Sequence, residues 1–122
     1  MLKTISEEMR GIGVPYEFMR WTSAVTDRYW VGEYSETPTV NEDGYKESTM
    51  ILTGTTRGSW IDLEQDKAKI EQHFPTVYGL RKTTAKGSVT IYYENSFPVE
   101  TGEADLKRIQ VNLRIKEWKG AI

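Results

Sequence analysis

The stretch RIQVNLRIK, residues 108–116, alternates polar and apolar side chains without a break. The isoleucine, valine and leucine side chains fall on one face of an extended chain, and the arginine, lysine and amide side chains fall on the other. A period of two is typical of a strand with one face on a core and the other in water or on a polar partner. The pattern therefore predicts a half-buried β-strand near the end of the chain.

Three more segments favour strands because they are rich in aromatic or β-branched residues. They are residues 29–34, residues 48–56 and residues 88–97. Residues 16–21 alternate weakly and could form a further short strand. Residues 77–86 show no clear period; a glycine, two threonines and three basic residues indicate a connector.

Two segments show helical spacing. Near the start, apolar residues recur every three or four positions, and Gly11 or Gly13 ends the pattern. A second helix begins at Ser59, which can cap it with Asp62 three residues later, and Pro75 stops it. Its apolar stripe, interrupted by a lysine, consists of Trp60, Leu63, Ile70 and Phe74.

The order of these elements is α-β-β-α-β-β, with a loop at residues 35–45 between the first two strands. Two strand pairs and two helices predict an α+β fold: an antiparallel sheet of about four strands with both helices packed on one face. A length of 122 residues favours a single domain that spans residues 1–122.

Composition excludes several classes of protein. Without cysteine there are no disulfides and no thiolate metal sites. A net charge of −2 gives no drive toward nucleic acid or anionic lipid, and no window is apolar enough to span a bilayer. Residues 1–8 turn acidic too early for a signal peptide. We expect a soluble protein that is used in the cytoplasm or in a particle assembled there.

No pattern of catalytic, cofactor-binding or metal-ligating residues stands out, so we expect no enzyme and no cofactor. His73, the single histidine, lies at the end of a helix, where a structural role is favoured. The acidic residues of the 33–47 stretch lack the spacing of a calcium loop and read as a solvated surface. The Gly54–Gly58 segment lacks the lysine of a P-loop and reads as a strand-to-helix turn, with Arg57 as its one polar candidate.

A basic and aromatic surface is an alternative to be weighed. Tyr92 or Trp118 could share a sheet face with basic residues of the last strand, as in proteins that stack single-stranded nucleic acid. Interleaved glutamates and the charge balance disfavour specific nucleic-acid binding. The basic residues in question are Arg81, Lys82, Lys86, Arg108, Arg114 and Lys116.

Aromatic side chains are more numerous than a small core needs. We expect Trp21, Trp30, Tyr34 and Trp118 to have no inner position. Because interface cores favour tryptophan, tyrosine and arginine, such a surplus indicates a subunit of an assembly. The alternative is that these rings cover a helix-free edge of the sheet.

The layout resembles the tail terminator, or tail-to-head joining (tail completion), proteins of long-tailed bacteriophages. The resemblance runs through most of the chain: a short helix followed by GIGVPYE (residues 11–17), an aromatic strand YWVGEY (29–34), a proline-bearing acidic loop (36–44), a threonine-rich strand, a charged helix (62–73) and a closing hairpin around residues 98–102. The connector at residues 77–86 is less typical of the family.

The resemblance implies a structural virion protein without catalysis. Subunits would form a ring, typically a hexamer, on the finished tail tube, end tube polymerisation and present a docking face to the head connector. Alternatives are another morphogenesis protein, such as a head-completion or tail-tube subunit, or a small ligand-binding α+β domain. From loop exposure we expect the interface to include Glu36, Pro38, Asn41, Glu42, Asp43, Tyr45, Val99, Glu100, Thr101 and Glu103.

Overall fold

The computed structural model describes residues 2–21, 28–36, 45–84 and 87–119. Along the chain, the elements are α1 (Leu2–Gly11), β1 (Tyr16–Phe18), β2 (Arg28–Glu36), β3 (Tyr45–Thr56), α2 (Trp60–His73), β4 (Leu80–Thr84), β5 (Gly87–Val99) and β6 (Lys107–Lys119). Neither helix is long and apolar enough to cross a membrane, within those ranges.

The expected four-stranded antiparallel sheet is wrong. The strands form one six-stranded mixed sheet in the order β1-β2-β3-β6-β5-β4, in which β1 pairs parallel to β2 and the other pairs are antiparallel. The two strand pairs β2–β3 and β5–β6 were predicted. The added strands are short ones at the two sides of the sheet: β1, where alternation was weak, and β4, which occupies the predicted connector.

One face of the sheet, called the covered face, carries the core. Alternate residues of β3, β5 and β6 point into it, as the period of two predicts. Both helices contribute side chains to the same cluster, through Ile5 and Met9 of α1 and Leu63 and Ile70 of α2. The strand side chains of this cluster are Trp30, Met50, Leu52, Val89, Ile91, Tyr93, Ile109, Val111, Leu113 and Ile115.

Two glycines make room for large rings on the covered face. A Cβ on Gly54 would lie 2.5 Å from the indole ring of Trp30, which is fully buried. A Cβ on Gly32 would collide with the hydroxyl end of Tyr16. Glycine in a strand often marks such a close approach. Trp30, which we expected at the surface, therefore lies flat against the neighbouring strand in the core.

The opposite face of the sheet, called the open face, carries the strand side chains that do not point into the core. It carries the polar set of β6 and alternate residues of β2, β3 and β5. Most of these side chains are half-buried because neighbours on adjacent strands cover one another, and Thr55 and Thr90 are 5% exposed.

Candidate interaction surfaces

The two loop segments expected at an interface lie at opposite ends of the sheet. Glu36 ends β2 and Tyr45 begins β3 at one end, called the β2–β3 end. Val99 ends β5 at the other, called the β5–β6 end, where β6 begins. Twelve residues of β3 separate the ends, which corresponds to about 35 Å. Pro38, Asn41, Glu42 and Asp43 lie outside the described residues, so their expected role stays a prediction.

At the β2–β3 end, Glu36 forms an ion pair with Lys46, with 2.8 Å between Oε1 and Nζ. The carboxylate raises the pKa of Lys46 above its usual value, chiefly through this hydrogen bond. Tyr45 packs on the indole of Trp118, with 5.2 Å between ring centroids. Both expected residues that the structure describes here are therefore already engaged within the chain.

At the β5–β6 end, the loop after Val99 is organised by Thr101. Its hydroxyl oxygen lies 2.8 Å from the carbonyl oxygen of Leu106 and 3.0 Å from that of Glu103. Gly102 has φ +79°, a left-handed conformation that glycine adopts freely, and its N–H donates to the Glu100 carboxylate at 3.2 Å. These contacts fix the conformation of the hairpin tip.

Arg57 joins the β5–β6 end to the turn before α2. Its guanidinium contacts Asp105 at 2.7 Å and Glu103 at 3.3 Å. The Asp105 hydrogen bond contributes most to raising the pKa of Arg57, and the same bond lowers the pKa of Asp105. Because two carboxylates already pair with the guanidinium, the geometry favours a structural clasp over an anion-binding site.

An open cleft of about 360 Å³ lies beside this clasp. Trp60, which we placed on the apolar stripe of α2, borders the cleft and is 41% exposed. Ile61 and Phe97, each next in sequence to a residue of the cleft but not part of its lining, are also exposed. The remaining lining residues are Pro98, Val99, Glu100, Thr101, Glu103, Ala104, Leu106 and Lys107. Aromatic side chains are enriched in protein interfaces, so the exposed ring of Trp60 makes this cleft a candidate docking surface.

The open face brings together aromatic and basic residues that the sequence suggested could share a face. Arg114 lies 4.8 Å from the centroid of Tyr92, and Lys116 lies 4.7 Å from Tyr45 and 5.7 Å from Tyr92. With Trp118 these residues form what we call the aromatic–cation layer. The cations occupy faces of the tyrosine rings, and Glu47 lies 3.8 Å from Arg114. The layer therefore does not offer free rings for base stacking, which disfavours the nucleic-acid alternative.

His73 takes part in polar contacts that join α1, α2 and β4. Its Nε2 lies 3.4 Å from Glu8 of α1, and Lys82 of β4 lies 3.3 Å from the same carboxylate oxygen. The ring also packs edge-on against Phe74. These contacts give His73 a structural role, linking α1, α2 and β4.

A buried carboxylate on α2 was missed by the sequence reasoning. Asp66 is fully buried; its Oδ2 accepts hydrogen bonds from Arg28 at 2.6 Å and from the indole N–H of Trp30 at 3.0 Å. The signal was present: Asp66 falls at helical spacing between Leu63 and Ile70, on the apolar stripe. The arrangement ties α2 to β2, and the charge is paired as burial requires. No group of acidic or histidine residues suited to holding a metal ion occurs in the described parts of the chain.

This chain resembles known proteins in its fold and not in its sequence. No family model and no curated protein matches the sequence. A chain from the virion of a native gene transfer agent particle has a TM-score of 0.69 at 11% identity, covering 92% of this chain and 84% of that one. A second solved protein, whose name describes no activity, has a TM-score of 0.72 at 13% identity, covering 98% and 92%. The fold is shared with both over nearly the whole chain.

Proposed function

We propose that this protein is a structural subunit of a virion. The supporting observation is the fold shared, over 92% of the chain, with a component of a gene transfer agent virion. The exposed aromatic and apolar side chains at several surfaces agree with a protein that works by contact. No catalytic step or cofactor is part of the proposed role.

More specifically, we propose that the chain caps the tail tube as a ring, ends tube polymerisation and forms the docking face for the head connector. The order of elements that resembles tail terminator proteins supports this role. The strand arrangement suits it as well, because a ring on a tube needs two different ends. Among the described residues, the β2–β3 end carries the Glu36–Lys46 ion pair, whereas the β5–β6 end carries the Arg57–Asp105 ion pair and the cleft beside Trp60.

The proposed partners are other copies of this chain, the tail tube protein and a head-completion or connector protein. A ring, with a hexamer as the family implies, would need neither membrane nor nucleic acid for assembly. Its place in the particle would be the head-proximal end of the tail, assembled in the host cytoplasm. The exposed apolar and acidic surface around the Trp60 cleft is suited to one of the axial contacts.

A tube-growth assay tests the capping function. Tube protein of the same virus is polymerised with and without this chain, and tube lengths and ends are examined by electron microscopy. We expect growth to stop and one end of each tube to carry a ring. Tubes that lengthen unchanged would contradict capping, and tubes built from this chain alone would favour a tail-tube subunit instead.

A loop deletion tests the contact at the β2–β3 end. Removing residues 39–43 should prevent capping while leaving the fold intact, since these residues lie between two strands that pair without them. Circular dichroism provides the folding control. Full capping by the folded deletion variant would remove the 36–45 loop from the interface.

A further inference from the structure

The cleft beside Trp60 is open to solvent at the β5–β6 end. Its volume of about 360 Å³ lies at the lower end of the range of pockets that hold a ligand. The indole of Trp60 borders it and is 41% exposed. Tryptophan is a residue type that carries much of the binding energy when a partner covers it.

The rim of the cleft is fixed before any partner binds. The Thr101 hydroxyl lies within hydrogen-bond distance of the carbonyl oxygens of Glu103 and Leu106. Arg57 ties the carboxylates of Glu103 and Asp105 to the turn before α2. Because a preformed rim lowers the ordering cost of binding, a partner meets a recess that already has its shape.

Glu100 supplies the cleft with a carboxylate that has no cationic partner among the described residues. Its Oε1 accepts the N–H of Gly102 at 3.2 Å, which orients the carboxylate. Arg57 is held by two other carboxylates, and the Nζ of Lys107 lies 3.4 Å from the carbonyl oxygen of Asp105. Glu100 can therefore still accept charge-assisted hydrogen bonds from a partner.

An anionic partner is disfavoured, although the cleft lies beside the first turn of α2. A helix N-terminus attracts anions through N–H groups that lack partners. Here the Ser59 side chain caps the helix, and Asp62 adds a negative charge to its first turn. The charged residues of the lining are Glu100, Glu103 and Lys107. The carboxylates outnumber the lysine, so the charge of the lining favours a cation.

We propose that the Trp60 cleft binds an arginine side chain carried by an apolar segment of a neighbouring virion protein. The guanidinium stacks on the Trp60 ring and pairs with Glu100, while apolar side chains of the segment contact Val99 and Leu106. Arginine suits the site better than lysine, because its planar group stacks on aromatic rings and pairs with a carboxylate through two hydrogen bonds. This inference rests on the proposed role in the tail and names the chemistry of one axial partner.

Three tripeptides with blocked ends, Leu-Arg-Leu, Leu-Gln-Leu and Leu-Glu-Leu, test the charge preference of the cleft. Each is titrated into the full-length protein, and the indole N–H signal of Trp60 is followed by NMR. The arginine peptide should bind about fivefold more tightly than the glutamine peptide, as expected for an exposed ion pair and ring contact. The glutamate peptide should bind most weakly. Added salt should reduce the preference, because it screens exposed charges.

Variants locate the binding. Glu100→Gln removes the charge but keeps an oxygen for the Gly102 N–H, and it should weaken binding of the arginine peptide about threefold. Glu71→Gln makes the same charge change at an exposed position near the other end of α2 and should bind as the wild type does. Trp60→Leu removes the ring and should abolish the preference, measured on the NMR signals of the peptide. Circular dichroism confirms that each variant is folded.

The outcomes are distinct. A preference for arginine that needs both Trp60 and Glu100 supports the assignment. Equal affinity for the three peptides, or a preference unchanged in Glu100→Gln, overturns it while the ring function stands, because tube capping by the wild type is measured separately. A lower oligomer mass for free Trp60→Leu also overturns it, since the cleft then holds a second copy. A wild type that binds the arginine peptide at Trp60 but leaves tube growth unchanged supports the cleft assignment and contradicts the capping role.

Discussion

The covered and open faces are made from the same strands, yet they differ in what holds them together. On the covered face, Leu113 and its neighbours are fully buried, and the buried carboxylate of Asp66 pairs with Arg28. On the open face, the next residue, Arg114, has a side chain that is 40% exposed and lies over Tyr92. Burial of apolar area stabilises the first face, and contacts between cations and rings order the second.

Because the two faces are held by different interactions, substitutions on them should have different effects. Changes on the covered face should alter the free energy of unfolding and affect assembly through loss of folded protein. Changes on the open face and in the Trp60 cleft should alter assembly at nearly constant stability. The free energies of unfolding of variants on both faces test this division.

The largest contrast should come from adjacent residues of β6. Leu113→Ala removes a fully buried side chain and should lower the free energy of unfolding by about 3 kcal/mol, since the cavity adds to the lost burial. Arg114→Ala should lower it by less than about 1 kcal/mol. Urea denaturation measures both. Similar losses of unfolding free energy in the two variants would contradict the proposed difference between the two faces.

The buried carboxylate should be nearly as sensitive. Asp66→Asn keeps the volume but removes the charge that pairs with Arg28, and it should cost about 2–3 kcal/mol, at the low end for a broken buried pair because the Arg28 side chain is 31% exposed. Glu64→Gln, on the exposed side of the same helix, serves as the control and should change stability by less than about 0.5 kcal/mol. Equal effects in the two variants would show that Asp66 does not tie α2 to β2.

A third change on the covered face should stabilise the protein. The Tyr16 hydroxyl is buried and has no hydrogen-bond partner in the described part of the chain, so Tyr16→Phe should raise stability by about 1 kcal/mol. Burial raises the pKa of Tyr16 to about 12.

The raised pKa sets the pH window for this residue. An unfolded tyrosine ionises near pH 10, whereas the folded Tyr16 stays neutral up to about pH 12. Ionisation of this group therefore leaves the free energy of unfolding unchanged below pH 10 and lowers it as the pH rises toward 12. Tyr16→Phe should lack this part of the alkaline loss. A destabilised Phe variant at neutral pH would show that the hydroxyl has a partner.

The smallest effect should come from the aromatic–cation layer. In a double-mutant cycle, Tyr92→Leu and Arg114→Met should couple by about 0.5–1 kcal/mol, as expected for a cation over a ring. The control cycle, Tyr92→Leu with Arg108→Met, should be additive, because Arg108 contacts Thr55 and not Tyr92. Coupling of the same size in both cycles would argue against the contact with Arg114.

The central strands and both helices could be predicted because their periodicity records which side chains face the core. β6 alternates strictly, and its pattern of buried residues follows that alternation. β4 could not be predicted: a five-residue edge strand rich in arginine, lysine and threonine pairs through its backbone on one side, and such pairing leaves little trace in composition.

The wrong prediction for Trp30 has a physical reason. Trp30 appeared surplus because no single strand pattern shows that Gly54 opens a flat site opposite it, or that Asp66 supplies a partner for its indole N–H. Both depend on contacts between residues far apart in the chain. The strand order, which places β1 and β4 at opposite sides of one sheet, likewise depends on pairings between segments far apart in the chain.

The mass of the purified protein, measured by light scattering over a range of concentrations with and without tail tubes of its virus, tests the ring function most directly. We expect a closed oligomer of constant mass, formed in solution or on tube ends, that does not grow further as concentration rises. A monomer that ignores tubes at every concentration, or an oligomer whose mass grows without limit, would contradict a capping ring.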